Sequence, residues 1–434
     1  MPVTLAVTAA FSLLAAAVWA WVNFAGGRGR SLHYRLDPDP PARPPGGGPW
    51  PRVTLVAPGR NEAAHLPAVL PRLCGQSYPR VRHRVVFVDD ASSDRTPAIV
   101  ARFVAAHPHL LGVRLEGDPP PGWMGKCHAV HRGVAAADAG AGPERGHDPE
   151  PDADPWLCFT DADILWHPDL LRCAVAYALE HDADLLGVTP TLTFGSTAEA
   201  VVQLQLVLAL GVALPFEKAM DPETPWALTG GAFILVRRRF YDAIGGHAAV
   251  RGEMVEDLKL GMALKAAGAR HRVAVAGDLQ TCRMYDGVAD MWAGLTKNAY
   301  AGLNHRWYVA ASAVLAVATL NVLPPLYAGV AAAWLLLDPR PLAVAALLAA
   351  VAAVLLQARA LNAARKLMRL PVGYAWTLNA GSAAYAAILL ASAWRYHRGG
   401  NRWAGRTYGA RHAAAARNAE AHAPPPAERP APEA

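Results

Sequence analysis

An uncharged, almost unbroken apolar run over residues 4–25 constrains this chain more than any other feature. As a helix rising 1.5 Å per residue it reaches about 33 Å, enough to cross the hydrocarbon core of a bilayer. A cleaved signal peptide fits less well, because no basic segment precedes the run and signal peptides carry only about 7 to 15 apolar residues. Comparable stretches return only after residue 306, at 307–337, 342–357 and 372–394. Between the two apolar regions lie some 280 residues of ordinary polar content. The expected organisation is therefore a membrane helix (1–26), a Pro/Gly-rich linker (27–51), a folded domain (52–306), a membrane region (307–398) and a basic, then disordered, tail (399–434).

Composition agrees with a membrane enzyme. Charged residues make up 18% of the 434, against about 25% in ordinary soluble domains. The formal net charge of +6 is spread along the chain, which argues against a nucleic-acid partner. The positive-inside bias of Arg28, Arg30, Arg35, Lys297 and Arg306 puts the middle domain on the cytoplasmic face of a plasma or inner membrane, in a multi-pass chain. Arg359, Arg365, Lys366 and Arg369 then return to that face after an outer turn at residues 338–341. Three simple crossings would export the tail with Arg395, Arg398, Arg402 and Arg406, against the same bias. Asn321 and Pro324-Pro325 interrupt the second stretch, so a kinked span and a re-entrant hairpin are both open. Five cysteines with no C-x-x-C pair indicate neither a disulfide framework nor a zinc knuckle, and imply reduced thiols.

The linker is clearest at residues 37–51, and residues 138–155 read as an exposed loop insertion. Within the middle domain, short apolar runs (53–57, 84–88, 111–115, 156–160) alternate with stretches of helical spacing. That alternation implies βαβ units and a mainly parallel sheet, with ligands beyond the carboxyl ends of the strands. The polar clusters fall at those ends. Asp161-Ala162-Asp163 follows an apolar run, where two carboxylates at i and i+2 on an extended backbone share one side and suit Mg²⁺ or Mn²⁺. Taken alone, such a triplet is more often a polar turn. Asp89-Asp90, followed by Ser92, Ser93 and Asp94, offers acceptors for a base or ribose, or else a turn that caps the next helix. Gly125-Lys126 opens a helix with a cation, as a phosphate site would, although glycine there is ordinarily a cap. Glu256-Asp257 begins another helix, where acids commonly just complement the dipole.

Taken in order, Pro58-Gly59-Arg60-Asn61-Glu62, Asp89-Asp90, Gly125-Lys126, Asp161-Ala162-Asp163, Gly230-Gly231-Ala232-Phe233 and Glu256-Asp257 resemble family 2 glycosyltransferases of the GT-A fold. The resemblance covers about residues 52–306. It implies a Rossmann-like, mainly parallel α/β domain beside membrane helices, and transfer of a sugar from a nucleotide donor, most often UDP-linked, with inversion. It also implies donor binding by Pro58, Arg60, Glu62, Asp89, Asp90, Lys126 and Asp161, a Mg²⁺ or Mn²⁺ ion on Asp161 and Asp163, and Asp257 as general base beside Glu256. Gly230, Gly231, Gln280 and Arg283 fall on the acceptor side.

Gln280-Thr281-Cys282-Arg283-Met284 partly resembles the Gln-x-x-Arg-Trp element of processive polysaccharide synthases, with Met284 where tryptophan would stack on a sugar. The segment around Arg283-Met284-Tyr285 and residues 292–298 is more similar to membrane glycosyltransferases of hopanoid and carotenoid pathways, which implies a lipid-like acceptor of hopanoid, carotenoid or polyprenyl type. Residues 198–214 and 288–300 read equally as core helices or as helices lying at a membrane surface. Two readings stand behind a lipid glycosyltransferase: a polysaccharide synthase, and a non-catalytic membrane scaffold with a degenerate transferase domain.

Overall fold

The computed structural model describes residues 2–28, 34–140, 154–213, 216–398, 401–403 and 406–408. Arg30, residues 141–153 of the expected loop at 138–155, and the tail from Ala413 lie outside the described residues.

The middle domain is built on a sheet of seven strands in the order β3-β2-β1-β4-β8-β6-β9. These are β1 (Val53–Gly59), β2 (His83–Asp90), β3 (Leu110–Leu115), β4 (Trp156–Phe159), β6 (Leu185–Thr189), β8 (Ile234–Arg237) and β9 (His271–Val275). Only β8 runs antiparallel to its neighbours; the other pairings are parallel. The strand-helix alternation thus yields the mainly parallel α/β sheet it implies. Strands β1, β2 and β4 are buried on both faces, which is why they read as continuous apolar runs instead of alternating ones. Leu55, Ala57, Val85, Phe87 and Cys158 enter one core, and Val56, Val86, Val88, Leu157 and Phe159 the other.

Register then aligns the strand ends. Gly59 pairs with Asp89, and Val56 with Phe159, so the polar turns after β1, β2 and β4 line one edge of the sheet. A second, three-stranded sheet, β5 (Ile164–Trp166), β10 (Gln280–Cys282) and β7 (Thr191–Leu192), stands beside that edge. All five cysteines are buried and unpaired.

Among the described residues two helical segments, Val3–Phe24 and Pro341–Leu367, are long and apolar enough to cross a membrane. A third candidate is broken: Trp307–Val322 and Pro324–Leu337 meet at 51°. The break has a structural cause, since a π-turn over Ala318–Val322 meets the proline pair and leaves carbonyls without helical partners. Polar side chains from other helices satisfy them. Gln357 donates to the Leu320 carbonyl at 2.7 Å, Trp19 to the same carbonyl at 3.0 Å, and Asn379 to that of Asn321. The stretch 372–394 differs from expectation: it splits into a 3₁₀ turn (Val372–Trp376) and the helix Leu378–Arg398, which is not among the helices apolar enough to span. Asn379, Ser382 and Ser392 dilute its apolar character because they serve as hydrogen-bond partners inside the bundle. That helix packs on Thr197–Ala213, where Gly381 leaves room for the Val201 backbone. The first half of Thr197–Ala213 is buried, while Leu210 and Val212 near its end are exposed.

Candidate active site

Four segments far apart in sequence meet at the aligned edge. Helix Gly125–Ala139 presents Lys126 in its first turn, the turn after β4 presents Asp161, helix Glu256–Ala266 presents Glu256 and Asp257, and Gly231 precedes β8. Lys126 Nζ lies 2.6 Å from Asp161 Oδ1 and 2.7 Å from Glu256 Oε1. Burial opposes the Lys126 charge, but Asp161, Glu256 and Asp257 outweigh it and hold the ammonium well above its usual range. Gly231 is needed by geometry, because a β-carbon there would fall on Asp161 Oδ2 and 2.6 Å from Lys126 Nζ. Its carbonyl accepts from the Asp161 N–H at 2.9 Å.

Asp257 is held at both carboxylate oxygens. Oδ2 accepts from the Gly231 N–H at 2.8 Å and Oδ1 from the Leu258 N–H at 2.8 Å. Burial, then the charge of Glu256, pushes it up to about 6. A carboxylate poised there is suited to take a proton near neutral pH. Thr229 fixes the same helix end by donating to the Asp257 carbonyl at 2.7 Å.

Asp161-Ala162-Asp163 is not on extended backbone. Strand β4 stops at Phe159, and the triplet forms the turn into β5, because Thr160 breaks away to donate to the Ala232 carbonyl at 2.8 Å. The two carboxylates consequently have different neighbours. Asp161 meets Lys126, while Asp163 is pushed up to about 7 by burial, then by Asp161 and Glu62. Its Oδ1 is buried with no hydrogen-bond partner. Among the described residues no three His, Cys, Asp or Glu side chains converge closely enough to hold a metal. The fit to a divalent ion is instead that of a shared site. Asp161 sits with Glu256 and Asp257 around the Lys126 ammonium, Asp163 acts on Asp161 from the other side with a buried, orphaned oxygen, and hard cations of this kind complete their shell with substrate phosphates.

On the donor side, Pro58 lines the same cleft as Lys126, Glu256 and Asp257. The loop after β1 is laced to the one after β2: Asn61 N–H donates to Ser92 Oγ at 2.8 Å, Glu62 N–H to Thr96 Oγ1 at 2.8 Å, and Ser93 N–H to Asn61 Oδ1 at 2.9 Å. Asn61 and Ala91 adopt left-handed backbone to make these turns. Arg60 donates to the Asp90 carbonyl at 3.1 Å. Strand alternation separates the paired acids. Asp90 shares the face of Val86 and Val88, on which helix Gly125–Ala139 packs, whereas Asp89 is turned away and caps its turn, accepting from Ser92 N–H at 3.0 Å. Glu62 reaches His65 at 2.8 Å, and that hydrogen bond raises His65 to about 9.

On the acceptor side, Gln280 is wholly buried and donates to the Ala232 carbonyl at 2.8 Å, behind the Gly230-Gly231 turn. It presents no surface to an incoming molecule. Gly230 bridges to Phe233 in that turn. Arg283 is half-exposed, lies against Gly195 and pairs with Asp286 at 3.3 Å. The sequence reading missed two residues here. Lys297, read there as a topology signal and as part of the 292–298 segment but not as a site residue, is half-buried on helix Val288–Ala299, where desolvation lowers it while Glu256, Lys126, Asp161 and Asp257 all act on it. His65 lies in a loop with no motif of its own, and its position beside Asp163 comes from long-range packing.

Residues 51–310 match the family model described as glycosyltransferase like family 2. Over 82 residues, 19% of this chain and 17% of the relative, the sequence is 38% identical to a β-monoglucosyldiacylglycerol synthase of Synechocystis sp.. It is 30% identical over 83 residues to the enzyme of the same name from Trichormus variabilis, covering 19% and 18% of the two chains. The match thus spans less than a fifth of either relative's length. Among solved structures, a mannosyltransferase of Pyrobaculum calidifontis in complex with GDP-Man and Mn²⁺ superimposes with a TM-score of 0.49 at 22% identity, over 89% of this chain and 98% of that one.

Proposed function

The chain belongs to glycosyltransferase family 2, and from that premise we propose that it transfers one sugar from a UDP-sugar to the hydroxyl of a diacylglycerol-type lipid, with inversion. The observation that carries this reading is Asp257, held by two backbone N–H groups beside the cluster of Lys126, Asp161 and Glu256. A glycerolipid acceptor, in place of the hopanoid, carotenoid or polyprenyl type, follows from the names of the partial sequence relatives. Helix Val288–Ala299, which carries Lys297, packs on the apolar bundle and so gives an acceptor an approach from a bilayer.

In this reading the acceptor oxygen attacks the anomeric carbon as its proton passes to Asp257. The bond from that carbon to the diphosphate breaks, and the nucleoside diphosphate leaves with the electron pair. Lys126, freed from part of its carboxylate pairing when phosphates enter, and Lys297 hold the departing charge. Asp90 and the 58–62 loop hold the nucleoside. Asp161 and Asp163 would hold Mg²⁺ or Mn²⁺ together with the diphosphate, and that ion supplies Lewis-acid neutralisation of the leaving group. No covalent nucleophile is needed.

Residues 2–28 and 341–367, with the bent pair, anchor the chain in a cell membrane as a multi-pass protein with the catalytic domain cytoplasmic. The test uses the full chain in vesicles containing diacylglycerol, with a panel of labelled UDP-sugars and Mn²⁺, and reads product mass. A lipid bearing one hexose is expected. A ladder of sugars would move the chain to the polysaccharide synthases. No product, and no calorimetric heat on adding UDP with Mn²⁺, would leave only the scaffold reading.

A further inference from the structure

Away from the carboxylate cluster, a cavity of about 330 Å³ opens between the helices Trp307–Val317 and Leu378–Arg398. Its floor is Tyr300, Ala310 and Leu389, all buried. Its rim is Trp307 and Trp394, which are 71% and 60% exposed and therefore face outward as interfacial anchors. One end of the cavity carries His397 and Arg398, the Arg398 guanidinium lying 5.5 Å from the Trp394 ring. Among the described residues no acidic side chain lines it. The surrounding sequence is equally one-sided: Asp338 is the only acid between Asp290 and Glu420, while Arg306, Arg395 and Arg398 gather at this end of the helices.

We propose that this groove binds an anionic phospholipid of the surrounding bilayer, one acyl chain along Ala310 and Leu389 and its phosphate on Arg398 and His397. The argument is charge complementarity joined to an apolar floor. A neutral lipid leaves the cationic end without a partner, whereas basic pockets between membrane helices take anionic headgroups, each basic group near the surface adding about fivefold in affinity. An apolar floor that ends in basic side chains is poorly matched to a soluble anion.

The groove is also wired to the site. Tyr300 N–H donates to Ser392 Oγ at 3.1 Å, Ser392 in turn donates to the Thr296 carbonyl, and the Tyr300 hydroxyl lies 3.3 Å from His397 Nε2. Tyr300 immediately follows the helix that carries Lys297, on which Glu256, Asp161 and Asp257 act. An occupied groove braces that helix from the side opposite the donor.

The inference rests on the membrane reading above but not on the transfer reaction, so its test reads binding. The full chain in detergent is titrated with phosphatidylglycerol, phosphatidylcholine or diacylglycerol of identical acyl chains, and bound lipids are counted by native mass spectrometry. One tightly held phosphatidylglycerol is expected, preferred over phosphatidylcholine by about tenfold or more. Arg398→Gln, at an exposed position, should reduce that preference by about fivefold, and Ala310→Trp should remove both phospholipids by filling the floor. UDP binding by the same samples reports that the variants are folded. Equal retention of the two phospholipids, a preference unchanged in Arg398→Gln, or a preference for diacylglycerol would each overturn the proposal. A chain that stays soluble and lipid-free without detergent would instead overturn the membrane reading.

Discussion

The donor side of the cleft and the acceptor side are built by different means. On the donor side, polar turns at the ends of adjacent parallel strands are tied to each other before any ligand arrives, as in the hydrogen bonds between residues 61–62 and 92–96. On the acceptor side, apolar contacts of Tyr285, Met291, Leu295 and Ile388 join the segment after β10 to the helical bundle, with scattered polar links such as Arg369 to Asp278 and Ser392 to the Thr296 carbonyl. The difference teaches that donor geometry is set locally by sequence, whereas access of the acceptor depends on how distant helices pack. Changes on the donor side should therefore act on nucleotide binding. Changes on the acceptor side should act on turnover and lipid dependence.

The largest effect expected from the donor side is that of Asp163→Ala, which removes a candidate ligand. Calorimetry should show metal-dependent UDP affinity falling by about 100-fold or more. Unaltered affinity would show that Asp163 holds no cation. Next comes Gly231→Ala, whose new β-carbon collides with Asp161 and Lys126. Steady-state kinetics should show turnover reduced by about 10- to 100-fold, as for a small misplacement of catalytic groups. Lys297→Gln tests the boundary between the two sides. It should lower kcat by about tenfold, as loss of one charge on the leaving group would, with UDP affinity changed less. An equal loss in both would assign Lys297 to the donor side alone.

A smaller effect concerns stability. Burial lowers His83 to about 3, His247 to about 3 and His271 to about 4. Unfolded imidazole takes its proton near pH 6.5, so below that pH the unfolded chain binds more protons and these groups cost stability as acidity rises, by at most about 1.4 kcal/mol per group per pH unit. Asp163 and Asp257, raised in the fold, act in the opposite sense over the same range. The informative measurement is therefore the melting temperature of wild type against His83→Gln between pH 6.5 and 4.5. The variant should lose less on acidification, and parallel curves would show that His83 is already accessible to protons.

The two sides also differ in how legible they were in the sequence. Strand-helix alternation and acids at strand ends were enough for the parallel sheet, and the ordered motifs carried the family, because each of those signals lies within a few contiguous residues. Backbone detail was not available from that source. The Asp161-Ala162-Asp163 triplet reads as extended but turns, since Thr160 bonds across to Ala232, a partner 72 residues away. Asp89 and Asp90 look equivalent in sequence, yet the strand's two-residue period sends them to opposite faces. Gln280 reads as an acceptor contact and is buried behind the Gly230-Gly231 turn. Lys297 falls in the 292–298 segment, yet nothing local shows that it faces the carboxylates; helix packing brings it within their electrostatic reach.

The base assignment can be tested by comparing Asp257→Asn with wild type, measuring UDP-sugar affinity by calorimetry and lipid-product turnover on the same samples. Retained affinity with turnover reduced by about 10²- to 10⁴-fold is the predicted pair of results. Undiminished turnover would contradict it, because the proton of the acceptor hydroxyl would then be going elsewhere.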